Sequence, residues 1–83
     1  MKILYFAWLR QHVGAAEETV EPPVDVATAG GLIDWLAARS PGHAAAFQDR
    51  DTVRIAIDQD FAEADASILG AREVAFFPPV TGR

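Results

Sequence analysis

The residue types that most often carry catalysis or hold metal ions are sparse in this chain. There are two histidines, His12 and His43, and no cysteine, which excludes disulfides, thiolate ligands and cysteine nucleophiles. A metal site needs three or four converging ligands, and a predicted helix separates the two histidines. We therefore predict surface or capping roles for both histidines, and no bound metal.

Four acidic residues lie close together late in the chain, at Asp58, Asp60, Glu63 and Asp65. The segment suggests a calcium-binding loop but lacks the mid-loop glycine and the closing bidentate glutamate of that motif. A solvated turn is the better interpretation. No serine lies in a recognised nucleophile motif and no glycine-rich phosphate loop occurs, so the sequence predicts no active site in the chain itself.

Composition and charge narrow the class of protein further. The 83 residues allow a single domain, 1–83, and 51% of them are hydrophobic, as in a folded globule. The net charge is −5 and the seven basic residues are scattered, which argues against a nucleic-acid partner. The apolar run near the N-terminus is too short to cross a bilayer, so no membrane is expected. The absence of cysteine suits a reducing cytoplasm, the expected location.

Apolar runs and their breakers predict the order of strands. The predicted strands are 2–9, 17–20, 53–57 and 73–77, with a further short one within 61–66. A turn is expected at Gly14-Ala15-Ala16, and the two prolines at 22 and 23 end the second strand because neither can donate to a ladder.

One main helix is predicted between the second and third strands. Thr28 is its expected N-cap, and its buried face is formed by Leu32, Ile33, Leu36 and Ala37. Pro41-Gly42 is expected to end it, and residues 43–48 to form a short second helix. The order predicts an α+β fold, a β-grasp (ubiquitin-like) roll in which a mixed sheet carries one main helix on one face. Residues 78–83 follow as an extended tail.

The first and last strands are apolar on both of their faces. In the first strand, Ile3 and Tyr5 point to one side while Leu4 and Phe6 point to the other. A single helix layer covers only one side of the sheet, so the second apolar side predicts an exposed patch that binds a protein partner. The alternative is that loops and the short helix fold over this second side.

Three segments carry a resemblance to a known family. Residues 73–82, EVAFFPPVTG, closely resemble the C-terminus of the molybdopterin synthase small subunit, a sulfur carrier related to the thiamine-pathway carrier and to ubiquitin. The opening LYFAWLR with the following Val13-Gly14 is similar to the family's first strand and turn. The segment IAIDQ is similar to its central strand, with Asp58 where asparagine is common.

The resemblance implies a non-catalytic carrier subunit of a sulfurtransferase complex, with no cofactor bound to the carrier. In that family an E1-like enzyme uses ATP to adenylate the carrier's terminal glycine carboxylate, and sulfur replaces AMP to give a thiocarboxylate. The tail then enters the large synthase subunit, where sulfur passes to a cyclic pterin precursor during molybdenum cofactor biosynthesis. A heterotetramer of two small and two large subunits is also implied.

The resemblance also assigns individual residues. Gly82 matches the penultimate glycine and Arg83 occupies the reactive position, where the family ends Gly-Gly. Partner contacts are implied for two groups: the aromatic residues Phe6, Phe61 and Phe77, and the tail residues Pro78, Pro79, Val80 and Thr81. Strand alternation independently places Phe6 and Phe77 on the uncovered side, whereas Phe61 could equally be a buried strand residue.

Arg83 leaves three interpretations open. In the first, the arginine impairs charging of the tail. In the second, the partners have a wider or acidic channel that tolerates it, and in the third, the arginine is trimmed. Two alternative functions remain beside the molybdopterin carrier. One is a β-grasp interaction module that is never charged, and the other is a carrier for another sulfur pathway such as thiamine biosynthesis.

Overall fold

The computed structural model describes residues 1–79. Its strands are β1 (Lys2–Tyr5), β2 (Glu17–Thr19), β3 (Arg54–Ile57), β4 (Asp60–Ala62) and β5 (Glu73–Phe77). Its helices are α1 (Trp8–Val13), α2 (Ala29–Ala37) and α3 (Pro41–Ala46), and a 3-10 turn covers Arg50–Thr52. No helix in this part of the chain has the length and apolar character that a membrane crossing requires.

The five strands form one mixed sheet in the order β2-β1-β5-β3-β4. Strands β1 and β5 are parallel at its centre, and every other neighbouring pair is antiparallel. The parallel pair is possible because the long connection between its strands carries α2 across one face of the sheet. The predicted β-grasp roll is confirmed.

The hydrophobic core lies between the sheet and the helices. Its largest fully buried side chains are Ile3, Tyr5, Leu9, Leu32, Leu36, Val74 and Phe76. Helix α2 begins as predicted, since the Thr28 side chain accepts a hydrogen bond from the Gly31 amide at 3.1 Å. Its apolar stripe then faces the sheet and includes Leu32 and Leu36.

The predicted first strand is wrong beyond Tyr5. At Ala7 the backbone has a φ of 56° and a ψ of −130°, which turns the chain out of the sheet. Helix α1 follows, buries Leu9 completely and ends at Gly14, whose φ of 89° suits a left-handed cap. An unbroken apolar run has no clear period, so the sequence could not separate this short helix from a continued strand.

The predicted ends of the next two helices also need correction. Helix α2 ends at Ala37, before Pro41-Gly42, and these two residues begin α3 instead of stopping its predecessor. Proline is favoured in the first turn of a helix because its missing N–H has no partner to lose there. The Ser40 hydroxyl caps α3 by accepting a hydrogen bond from the His43 amide at 3.1 Å.

Candidate functional site

The side of the sheet opposite the helices forms the candidate site, here called the open face. It is defined by five side chains, Leu4, Ala56, Phe61, Ala75 and Phe77, which alternate with the core residues along β1, β3, β4 and β5. Helices α1 and α3 do not cover it, because Leu9 and Ala46 join the same core cluster as α2. The predicted uncovered side is therefore present in the structure.

Two phenyl rings dominate the open face. Phe61 on the edge strand β4 is 84% exposed, and its ring centroid lies 5.9 Å from that of Phe77, with the ring planes tilted by 50°. Phe77 is half-buried and is the last residue of β5. The interpretation of Phe61 as a buried strand residue is wrong, because the β3–β4 hairpin turns this side chain toward solvent.

Phe6 extends the aromatic surface toward α1. Its amide donates a hydrogen bond to the Phe76 carbonyl at 3.1 Å, one step beyond the last paired residues of β1 and β5. The Phe6 side chain is 48% exposed. The three phenylalanines predicted to contact a partner therefore all present part of their rings to solvent.

A groove of about 750 Å3 borders the Phe61–Phe77 pair. It forms where the chain leaves β4 after only three residues and passes toward the start of α2, where the Gly30 amide donates to the Ala64 carbonyl at 2.7 Å. Its other walls include Ile33 and Arg54. No local sequence pattern predicts this groove, because its presence depends on how early a short edge strand ends.

The tail begins directly at the open face. Pro78 and Pro79 follow β5 outside any regular element and are half-buried. Val80, Thr81, Gly82 and Arg83 lie outside the described residues, so their predicted roles remain predictions.

A polar cluster lies at the other end of the sheet, between β1, β2 and α3. Glu18 Oε2 accepts hydrogen bonds from the Tyr5 hydroxyl at 2.6 Å and lies 2.7 Å from His43 Nε2. The second ring nitrogen of His43, Nδ1, lies 2.7 Å from the Ser40 hydroxyl. His43 is only 7% exposed, so its predicted surface or capping role is wrong. Its contact with Glu18 links residues far apart in sequence, which local patterns do not report.

The cluster shifts the pKa values of two of its members. Burial, reinforced by the hydrogen bond to Glu18, raises the pKa of Tyr5 far above its ordinary value, which keeps the phenol protonated. Burial alone would raise the pKa of Glu18. The net effect is a lowered pKa, because Glu18 accepts hydrogen bonds from Tyr5 and His43 and lies near the positive charge of Arg39. The cluster thus holds one carboxylate in place between two strands and a helix.

The remaining candidate side chains are dispersed. His12 is exposed on α1, as predicted. The side chains of Asp58, Asp60, Glu63 and Asp65 are all exposed; Asp58 lies in the turn between β3 and β4, and Asp60 is the first residue of β4. Within residues 1–79 no three histidine or carboxylate side chains lie close enough together to hold a metal ion.

Comparisons with known proteins were made by sequence and by structure. The sequence model of the ThiS family matches residues 3–82. The chain is 37% identical over 82 residues to the molybdopterin synthase sulfur carrier subunit of Escherichia coli, covering 99% of this chain and 98% of that protein. It is 30% identical over 82 residues to the protein of the same name from Haemophilus influenzae, with the same coverage.

The fold also has a close structural relative among solved proteins. The crystal structure of SAMP1 from Haloferax volcanii superposes with a TM-score of 0.75 at 26% sequence identity, covering 100% of this chain and 98% of that one. The superposition covers the full length of this chain, so its overall fold recurs in that protein.

Proposed function

This chain belongs to the ThiS family, and we propose that it is the sulfur-carrier small subunit of a molybdopterin synthase. The observation that carries the proposal is the position of Phe77, which lies beside the exposed ring of Phe61 and is the last residue of β5, directly before the tail. A carrier needs a surface that docks and a chain end that reaches the partner's active site, and here the two are adjacent.

The open face is the docking surface for the large synthase subunit. Exposed aromatic rings on a rigid sheet contribute much of the binding energy in protein interfaces, since they bury a large apolar area with little loss of side-chain freedom. Phe61 and Phe6 are exposed and Phe77 is half-buried, so each loses further contact with water when a partner covers them.

The tail carries the reactive group. Pro78 and Pro79 restrict the backbone to extended conformations, which lowers the entropy lost when Val80 and Thr81 enter a narrow channel. Gly82 lets the backbone pass close to the walls of that channel because it has no side chain.

The proposed chemistry takes place on the carrier's C-terminal carboxylate. One of its oxygens attacks the α-phosphate of ATP on an E1-like enzyme, and pyrophosphate leaves. A sulfur nucleophile then displaces AMP from the acyl carbon and gives a thiocarboxylate. On the large subunit this sulfur then passes to a cyclic pterin precursor, and water supplies the oxygen that returns the carrier's acyl carbon to a carboxylate. No side chain of the carrier acts as an acid or a base in these steps, so we propose a carrier and not an enzyme in its own right.

The proposal is tested by intact-mass measurement of the carrier after incubation with an activating enzyme, ATP and a sulfur donor. Charging replaces one oxygen by sulfur, and the mass rises by the difference between the two atoms. We expect R83G, which restores the family's Gly-Gly ending, to be charged. The matched variant R83K keeps a long cation at the same position.

The outcomes separate the interpretations of Arg83. Charging of R83G alone means that the cation impairs activation, whereas equal charging of the wild-type chain, R83K and R83G means that the channel tolerates it. A variant ending at Gly82 tests whether trimming produces a competent tail. If none of these chains gains sulfur or forms a transient adenylate, the carrier function is contradicted.

A further inference from the structure

The turn between β3 and β4 has an unusual backbone for its sequence. Asp58 and Gln59 are the two central residues of a two-residue hairpin, and both have positive φ, 49° and 75°. This geometry matches the right-handed twist of the flanking strands, and it favours asparagine or aspartate followed by glycine because most other side chains crowd the backbone. Asp58 suits the first position, but Gln59 stands where glycine is usual, so a further interaction helps to stabilise the turn.

The side chain of Asp58 supplies that interaction. Its Oδ1 accepts hydrogen bonds from the backbone amides of Arg72 at 2.9 Å and Glu73 at 3.0 Å. Its own amide donates to the Glu73 carbonyl at 2.9 Å. Two of these hydrogen bonds join the tip of the hairpin to Glu73, the first residue of β5, and the third joins it to Arg72 just before that strand. All three lie beyond Ile57 and Val74, where the paired strands end.

The two elements joined by Asp58 are those that carry the docking surface and the tail. The β3–β4 hairpin holds Phe61, whose exposed ring has few neighbours of its own to fix it. Strand β5 holds Phe77 and leads into Pro78. The relative position of the two rings therefore depends on the interactions between the hairpin and β5. At the turn, these interactions include the hydrogen bonds that the Asp58 carboxylate accepts.

We infer that Asp58 is a positioning residue for sulfur transfer, which fixes the Phe61 hairpin relative to β5 so that docking and tail insertion occur together. The inference rests on the proposed function. Asp58 does not contact the reacting atoms, and it acts through the geometry of the open face. A loosened hairpin lets the Phe61 ring move relative to Phe77, so the free carrier is less well preorganised for docking and binds the large subunit more weakly.

The test is steady-state sulfur transfer from thiocarboxylated carrier to the cyclic pterin precursor on the purified large subunit, with carrier concentration varied. D58G keeps the left-handed turn accessible and removes the acceptor. D58E keeps the charge and displaces it by one methylene, and D58N keeps an oxygen at the same place without the charge. D60A is the matched control, because it removes a neighbouring carboxylate that makes no side-chain hydrogen bond among residues 1–79, whereas Asp58 accepts two.

We expect D58G and D58E to raise the KM for the carrier by about tenfold with little change in kcat, whereas D58N and D60A stay at the wild-type value. Each assay is run far below the unfolding temperature measured for that variant, so that lost stability does not enter the KM. A wild-type KM in folded D58G or D58E, or a fall in kcat alone, overturns the inference.

The mass measurement on the tail keeps this result separate from the proposed function. If the wild-type chain is charged and transfers sulfur while D58G and D58E match it, only the role of Asp58 is wrong. If none of the wild-type, R83G, R83K and Gly82-ending chains is charged, the carrier function is contradicted and the role of Asp58 in sulfur transfer is contradicted with it.

Discussion

Phe76 and Phe77 are neighbours in sequence and lie in opposite environments. The Phe76 ring is fully buried, 5.0 Å from the ring of Phe47 and 6.3 Å from that of Tyr5. The Phe77 ring is half-buried on the open face, and its aromatic neighbour Phe61 is largely exposed. Successive side chains of a strand point to opposite faces of the sheet, so the Phe76 ring stabilises the domain while the Phe77 ring remains available to a partner.

The largest effect is expected from Phe76→Ala. Removing a fully buried ring loses its transfer free energy and leaves a cavity, so we expect the free energy of unfolding to fall by about 3–5 kcal/mol. Urea denaturation followed by circular dichroism measures this. Phe77→Ala serves as the control one residue away, and an equal loss for both variants would mean that the two faces do not differ in packing.

Phe77→Asp is expected to act on binding instead. The substitution places an unpaired charge where the large subunit covers the open face, so we expect the affinity to fall by well over ~1 kcal/mol. Isothermal titration against the large subunit measures the change, with circular dichroism as a check on folding. A variant that loses its folded state, with no folded and non-binding species, would place Phe77 in the core.

A smaller effect concerns the polar cluster on the covered side. The pKa of Glu18 is lowered in the folded protein, so the folded state binds the proton more weakly than the unfolded chain does. The stabilisation is therefore complete above the ordinary pKa of glutamate and is lost as the pH falls through the lower pKa of the folded state. In Glu18→Gln we expect this acid-dependent loss to disappear, at a cost near neutral pH of about 1 kcal/mol. Urea unfolding midpoints measured from neutral to acidic pH test it, and an unchanged acid dependence would contradict the role of Glu18.

The smallest effect on stability is expected from Phe61→Ala. This side chain is 84% exposed, so the free energy of unfolding should change by less than about 0.5 kcal/mol. Binding to the large subunit is nevertheless expected to weaken, as in Phe77→Asp. Both the stability and the binding affinity are measured on the same protein sample. A stable fold with weak binding supports the assignment of Phe61 to the docking surface, whereas wild-type affinity contradicts that assignment.

The strands and their faces were predictable because alternation is a local property. The two faces of β5, the cap at Thr28 and the apolar stripe of α2 all follow from side chains a few residues apart. Helix α1 was missed because a run of apolar residues suits a buried strand and a buried helix equally. Gly14, a residue that often follows the last turn of a helix, was the one local sign of it.

The interactions that the sequence could not predict join distant segments. His43 is buried because Glu18 accepts its hydrogen bond across 25 positions of the chain, and Asp58 holds amides 14 and 15 positions away. Nothing in the residues adjacent to either side chain indicates those partners. The open face could be predicted from β1 and β5, but the exposure of Phe61 depended on where the β3–β4 hairpin lies at the edge of the sheet.

The parallel pairing of β1 with β5 has a mechanical consequence. The chain enters the sheet along Lys2–Tyr5 and leaves it along Glu73–Phe77, side by side and in the same direction. Tension between the N-terminus and Pro79 therefore loads the hydrogen bonds of this central pair in shear, all together, and cannot open them one at a time. Forced unfolding along this line therefore requires several hydrogen bonds to break together, and its rate follows the unfolding rate of the domain.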